Sequence, residues 1–109
     1  MRERDYQARL IKKLKRLYPG CIVLKNDSSY MQGIPDLMVL HEDRWAALEV
    51  KVKEPTGSNS FEPNQEWFLE TMNEMSFAAC IFPENEEDIL RGLQQAFSSR
   101  RSARLPVRQ

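Results

Sequence analysis

Asp36, closing the run Gly33-Ile34-Pro35-Asp36, and Glu49, opening Glu49-Val50-Lys51, stand thirteen residues apart, each attached to an apolar stretch of strand-forming type. Between them a polar His41-Glu42-Asp43-Arg44 separates Leu37-Met38-Val39-Leu40 from Ala46-Ala47-Leu48-Glu49-Val50, the pattern of two strands joined by a tight reversal. With the reversal centred between Glu42 and Asp43, facing residue numbers sum to 85, which sets Asp36 opposite Glu49. Directly opposed residues hold their Cβ atoms roughly 4.5–5.5 Å apart on one face of a sheet. Two like charges at that distance repel unless something neutralises them, and a hard divalent cation such as Mg²⁺, with its preference for oxygen ligands, suits the pair. Lys51, two residues beyond Glu49 on a strand of period 2, projects from the same face. A half-solvated sheet can carry the same charges with no cation at all, so the hairpin needs support from elsewhere in the chain.

That support comes from the segment Glu3 to Tyr18, where Tyr6, Leu10, Ile11, Leu14, Leu17 and Tyr18 recur with the spacing of an amphipathic helix. Counting back by turns from Ile11 and Leu14 puts Gln7 and Glu3 on the apolar stripe, an amide and an acid continuing a core-facing row. The basic Arg9, Lys12, Lys13, Lys15 and Arg16 fall mainly on the other sides. An acid in a first helical turn is also favoured by the helix dipole alone.

Glu3 and Gln7 on an initial helix, then Gly33-Ile34-Pro35-Asp36, then Glu49-Val50-Lys51, then Pro63-Asn64-Gln65 opening a later helix form an ordered set. The set resembles the virus-type replication-repair nuclease (VRR-NUC) domain, a branch of the PD-(D/E)xK nuclease superfamily. The likeness runs from about Glu3 to Phe97. It departs from the family before Gln65, where a Ser-Pro-x-Gln-like pattern is usual and this chain has Phe61-Glu62-Pro63-Asn64-Gln65.

The resemblance implies an α/β fold with a restriction-endonuclease-like α-β-β-β-α-β core, a mixed central sheet flanked by helices, and an extra C-terminal helix. It implies metal-dependent hydrolysis of DNA phosphodiester bonds, with Asp36, Glu49 and the backbone carbonyl of Val50 holding Mg²⁺ or Mn²⁺. Lys51 would position or help deprotonate the attacking water, or offset charge developing at phosphorus. Glu3 would act through water or a second ion, and Gln7 and Gln65 would orient the water or the scissile phosphate. Lys25, Asn26, Tyr30, Gln32 and Lys53 are candidate contacts to nucleic acid. Short relatives are similar to Holliday-junction resolvases in acting as homodimers on branched DNA, and the likeness to virus-encoded domains points to a phage or prophage source. A linear-duplex or restriction-type nuclease would share every ligand. A DNA-binding or protein-interaction module that had lost catalysis would have eroded the acid pair or the lysine, and all three are intact.

The chain's 109 residues, 41% hydrophobic and 29% charged, suit one domain with one core. We expect residues 1–97 to form it and residues 98–109, with Arg100, Arg101, Arg104 and Arg108, to be a mobile basic tail. The apolar stretches are short and interrupted, and the amino terminus is charged, so neither a membrane span nor a secretory signal is expected and the cytoplasm is the expected compartment. Cys21 and Cys80 lie in separate apolar runs without metal-binding spacing and read as reduced core thiols. His41 reads as a surface turn residue.

Net charge is zero but polarised. Residues 1–53 hold eleven Lys or Arg against seven acids, and residues 54–90 hold nine acids and no base. With Glu3, Asp36 and Glu49 engaged by a cation, the first segment suits a phosphate backbone, while the acidic one faces away. Pro19-Gly20 stops the first helix, Cys21 to Asn26 reads as a strand, and Glu54 to Glu62 as a polar loop. A second helix opens at Pro63. On it Glu62, Glu66, Glu70 and Glu74 mark a solvated side, and Trp67, Phe68, Met72 and Met75 the apolar one. Phe77 to Phe82 is a fourth strand, and Glu86-Glu87-Asp88 starts a last helix with Ile89, Leu90, Leu93 and Phe97 on its stripe.

Overall fold

Helix α1 (Glu3–Leu17) buries Tyr6, Leu10 and Leu14, the centre of the stripe that the spacing predicts. Its acids Glu3 and Asp5 lie in the first turn and its bases Lys15 and Arg16 in the last, which complements the dipole. Glu3 and Leu17 depart from the expected core-facing stripe: Glu3, in the first turn before the helix reaches the core, is exposed, and Leu17 is half exposed. The next residue, Tyr18, takes the inward position, its ring against His41 and Phe97 at centroid distances of 5.2 and 5.1 Å. The structure, a computed structural model, describes residues 1–57 and 61–98. Residues 58–60 of the polar loop and the tail beyond Ser98 lie outside the described residues.

After Gly20, at a φ of +88°, come strands β1 (Ile22–Lys25), β2 (Leu37–His41) and β3 (Arg44–Val50). Helix α2 (Gln65–Met75) leads to β4 (Phe77–Ile81), and a 3-10 turn at Pro83–Asn85 leads to α3 (Glu86–Ser98). The strands make one mixed sheet in the order β1-β2-β3-β4, antiparallel except for the final parallel pair. The protein is therefore α/β, with a four-stranded mixed sheet and three helices. The β2–β3 register is the expected one, Leu37 facing Leu48 and His41 facing Arg44.

Period-2 alternation divides the sheet into two unlike faces. Leu37, Val39, Ala46, Leu48, Val50 and Ile81 meet Tyr6, Leu10 and Leu14 of α1 and Leu90, Leu93 and Phe97 of α3 in the core. Glu86 closes this layer, accepting hydrogen bonds from Tyr6 Oη at 2.8 Å and Lys13 Nζ at 2.6 Å. The other face presents Trp45, Ala47 and Glu49 from β3, and α2 packs there, with Ser76 Oγ just past its end donating to the Trp45 carbonyl.

Two expectations are corrected here. His41 is not a surface turn residue: it ends β2, and its half-buried ring stacks on Phe97 at 5.8 Å. The two-residue turn begins one residue later, where Glu42 takes a φ of +57°. Helix α2 begins at Gln65, so Glu62 stands before it, off the acidic helix side assigned to it. On α2 itself Trp67 and Met75 are 59% and 69% exposed and no residue is fully buried. The helix carries apolar residues over a wider arc than the part of the sheet it covers.

Gly33 fixes the approach of α2 to the hairpin. At a φ of +93°, a Cβ there would lie 2.6 Å from Asn64 Cβ and 2.7 Å from the Pro63 carbonyl oxygen. Gly33→Ala should lower stability by about 1–3 kcal/mol through overpacking and strain. Gly20→Ala, also at positive φ but with nothing within 4 Å, should cost less. Thermal melts of the two variants check this, and equal losses would contradict it.

Candidate active site

Asp36 lies one residue before β2, and the segment leading to it is held by its own backbone. Asn26 N–H donates to the Asp36 carbonyl at 2.8 Å, and the Asn26 side-chain amide donates to the Pro35 carbonyl at 2.7 Å. The carboxylate is then aimed across the hairpin, where Oδ2 accepts the Val50 N–H at 2.8 Å. Extending the register by one pair places Asp36 opposite Glu49.

Glu49 is the one buried charged side chain among the described residues, at 2% exposure. Its Oε2 accepts from Gln65 Nε2 at 2.8 Å and lies 3.7 Å from Lys51 Nζ. Its Oε1 is buried and has no hydrogen-bond partner among the described residues, an arrangement that costs free energy unless something else meets it. Gln65 in the first turn of α2 accepts at Oε1 from Lys51 Nζ at 3.3 Å and from the Glu62 N–H at 2.7 Å. Its amide thus ties the acid, the base and the start of α2 together. Lys51 continues the pairing of β3, its N–H donating to the Ile81 carbonyl at 3.0 Å, and its ammonium lies 5.8 Å from the Phe61 ring centre.

These side chains open into a cleft of about 430 Å³. Glu3, Gln32, Asp36, Glu49, Lys51 and Gln65 line it, with Glu62 from the polar loop expected to border the site, and with Ser28, Ser29, Gly33 and Ile34, which the sequence reading did not assign to it. Ser29 is held by Asp27, whose Oδ1 accepts from its N–H at 2.9 Å and its hydroxyl at 2.6 Å. An Asp two residues before a Ser is a local turn signal, but nothing in its spacing ties that turn to the hairpin. Hollows on the far flank of α1, lined by Tyr6, Arg9, Lys13 and Glu86, have no facing pair of carboxylates.

Several candidates fall outside the cleft. Gln7 is half-buried on α1 and does not line it. Lys25 and Lys53 are exposed and Tyr30 is 84% exposed, all three away from its lining. Asn26, proposed as a nucleic-acid contact, spends its amide on Pro35. Its role in this structure is to hold the Asp36 segment.

The electrostatics follow from burial and crowding. Desolvation, then repulsion from Asp36, pushes the Glu49 carboxyl up to about 8, against the pull of Lys51. Burial also raises Asp36, opposed by the Val50 N–H and Lys51, and it raises Glu3, helped by repulsion from Asp36 and Glu62. Cys80, the neighbour of Glu49 on β4, is pushed up to about 12 by burial and by Glu49. It and Cys21 are free thiols. No group of three Asp, Glu, His or Cys side chains among the described residues closes on a common point as a complete cage. The donors that fit a cation are the two facing carboxylates, with Glu3 set further out along the cleft, and the unpartnered Oε1 of Glu49 is where such an ion would be met.

Comparison with protein-family models, with curated proteins and with solved structures returns no match for this chain.

Raised carboxyls favour the protonated protein. For Glu49 the ordinary value is 4.5 and the folded value about 8, so its contribution to stability is fully present below pH 4.5 and is lost as pH rises through about 8. Thermal melts in EDTA should show stability falling across that window, and Glu49→Gln should flatten the fall. Mg²⁺ or Mn²⁺ should raise the melting temperature more at pH 8 than at pH 5. A pH profile identical in wild type and Glu49→Gln would contradict the assignment.

Proposed function

We propose that this protein is a divalent-metal-dependent deoxyribonuclease of the PD-(D/E)xK kind, of the VRR-NUC branch, with a restriction-endonuclease-like core, acting structure-selectively on branched DNA such as Holliday junctions. The observation that carries the reading is the buried Glu49, facing Asp36 across the hairpin, with Lys51 beside it and one carboxylate oxygen unpartnered among the described residues. Burying the Glu49 charge beside the half-buried Asp36 costs free energy that Lys51 only partly offsets, and a cation between the two acids would offset the rest.

Asp36, Glu49 and the Val50 carbonyl are the groups that would hold Mg²⁺ or Mn²⁺. Bound there, the cation supplies Lewis-acid activation of the phosphate and a lowered pKa for the attacking water. Asp36 is oriented by the Val50 N–H, and Glu49 by Gln65. Lys51, held by Gln65 at the cleft wall, positions the attacking water and offsets charge developing on the phosphoryl oxygens. Gln65 acts through the groups it holds. Glu3 and Glu62, at the rim, orient water on the entry side. A phosphate backbone at the cleft would be read by charge and shape rather than by base identity; Arg9, Lys12 and Arg16 of α1 line the hollow on its far flank and do not reach the cleft lining. A domain of this size covers a short stretch of duplex, so two copies acting on one junction belong to the reading.

The test is cleavage of a four-way junction, linear duplex and single strand, with and without Mg²⁺ or Mn²⁺. The junction should be cut only with metal, and Lys51→Ala should lower the rate by on the order of 10²–10⁴-fold. Equal cutting of duplex and junction would overturn structure selectivity alone, leaving a duplex nuclease. Metal-independent binding with no cleavage of any substrate would overturn catalysis and leave a binding module. Asp36→Asn should abolish metal binding yet melt no lower than wild type, since it removes repulsion and no core contact; calorimetric titration with Mn²⁺ and a thermal melt check both halves.

A further inference from the structure

The segment between β1 and β2 divides its residues between two cavities. Ser28, Ser29, Gln32 and Gly33 line the cleft that holds Asp36 and Glu49. Asn26, Asp27, Tyr30 and Met31 line a second hollow of about 170 Å³, and Ile34 lines both. The hollow therefore adjoins the cleft, with only this segment of chain between them.

Short-range hydrogen bonds hold the segment in shape. Asp27 Oδ1 accepts from the Ser29 N–H and hydroxyl. The Asp27 carbonyl accepts from the Tyr30 and Met31 N–H groups at 3.1 and 3.3 Å, and the Met31 carbonyl accepts from the Ile34 N–H at 3.3 Å. On this frame Tyr30 and Met31 stand 84% and 41% exposed. Neither side chain belongs to the core, so packing does not account for an aromatic ring and a thioether side by side in solvent at the edge of the cleft.

We propose that this hollow binds one unpaired nucleobase, stacked on the Tyr30 ring, from the DNA strand whose phosphate lies in the cleft. Three observations select that ligand. First, the volume is below the roughly 300–1,000 Å³ of a pocket for a drug-sized molecule and suits a single planar ring system. Second, the lining sets an aromatic face beside the thioether of Met31 and the aliphatic Ile34, surfaces on which any base stacks. Third, the one charge in the lining is the carboxylate of Asp27. An acceptor-only group disfavours a phosphate and favours the N–H donors that every base carries on its pairing edge. Because Ile34 borders both cavities, the base in the hollow and the phosphate at Asp36 and Glu49 belong to the same or neighbouring nucleotides.

This proposal deepens the nuclease reading and rests on it for the phosphate in the cleft. It names the feature of the substrate that is selected, a nucleotide already out of the stack, as at a branch point or a bulge. Drawing a base out of a paired stack costs more than taking one already unpaired, so the hollow selects structure without reading sequence.

The experiment is fluorescence anisotropy on the full chain in Ca²⁺, an oxygen-seeking cation that suits the acid pair, with three labelled DNAs. They are a paired duplex, the same duplex with one unpaired nucleotide, and that second duplex with the unpaired nucleotide made abasic. Wild-type protein should bind the base-bearing bulge roughly 5–150-fold more tightly than either of the others, the range that stacking on an aromatic side chain supplies. In Tyr30→Ala this preference should collapse, and Tyr30→Phe, which keeps the ring, should retain it. The abasic comparison uses unaltered protein and so decides the matter even if a variant fails to fold. An abasic bulge bound as tightly as the base-bearing one overturns the proposal, as does a preference kept by folded Tyr30→Ala or no binding to the bulged duplex. Metal-dependent cleavage in any of those cases leaves the nuclease reading standing. Base-dependent binding by a protein that cuts none of these DNAs, nor a four-way junction, in Mg²⁺ or Mn²⁺ would instead overturn the nuclease reading and leave the base site standing.

Discussion

The hydrogen bond from the Val50 N–H to Asp36 Oδ2 stands at the point where the rest of the structure converges. It spends the last residue of β3 on a side chain from the other arm of the hairpin, which fixes Asp36 against Glu49. The surrounding elements are arranged around that constraint. Asn26 anchors the segment that delivers Asp36, Gly33 lets the Pro63-Asn64 turn come close, and Gln65 at the head of α2 reaches Glu49 and Lys51 together. The core on the other face, where α1 and α3 cover Leu37, Leu48 and Val50, holds the two strands rigid beneath the charges.

This division of labour gives the two faces of one sheet opposite characters. One is closed and apolar, and supplies stability against the cost of burying Glu49 on the other. The other carries the buried Glu49, a Lys51 that only partly balances the acids, and an apolar surface only half covered by α2. The raised carboxyls of Glu3, Asp36 and Glu49 and the exposed Trp67 and Met75 are unmet demands of different kinds. The proposed cation would meet the first.

Most of this was legible in the sequence where a local rule sets the geometry. The hairpin register followed from one polar turn, because a period of 2 leaves no freedom once the turn is placed. The seven elements followed from apolar spacing and from punctuation by Pro and Gly. What escaped depended on contacts between distant segments. His41 looks like a turn residue until Tyr18 and Phe97, themselves in contact, close a three-ring cluster with it. Asn26 looks like a free polar group until the chain returns at Pro35. Glu62 continues a four-residue repeat of acids, yet α2 begins after it and the residue lines the cleft. The arc of α2 left uncovered was also invisible, since helical periodicity marks an apolar face without saying how wide a surface awaits it.

The claim on which the account turns is that Asp36 and Glu49 face each other because a divalent cation belongs between them. Anomalous diffraction from crystals soaked in Mn²⁺ locates such an ion directly. The account predicts one strong peak within coordinating distance of both carboxylates, the formerly unpartnered Oε1 of Glu49 among its ligands. Well-ordered Asp36 and Glu49 side chains with no peak between them, or a peak elsewhere in the protein alone, would contradict it.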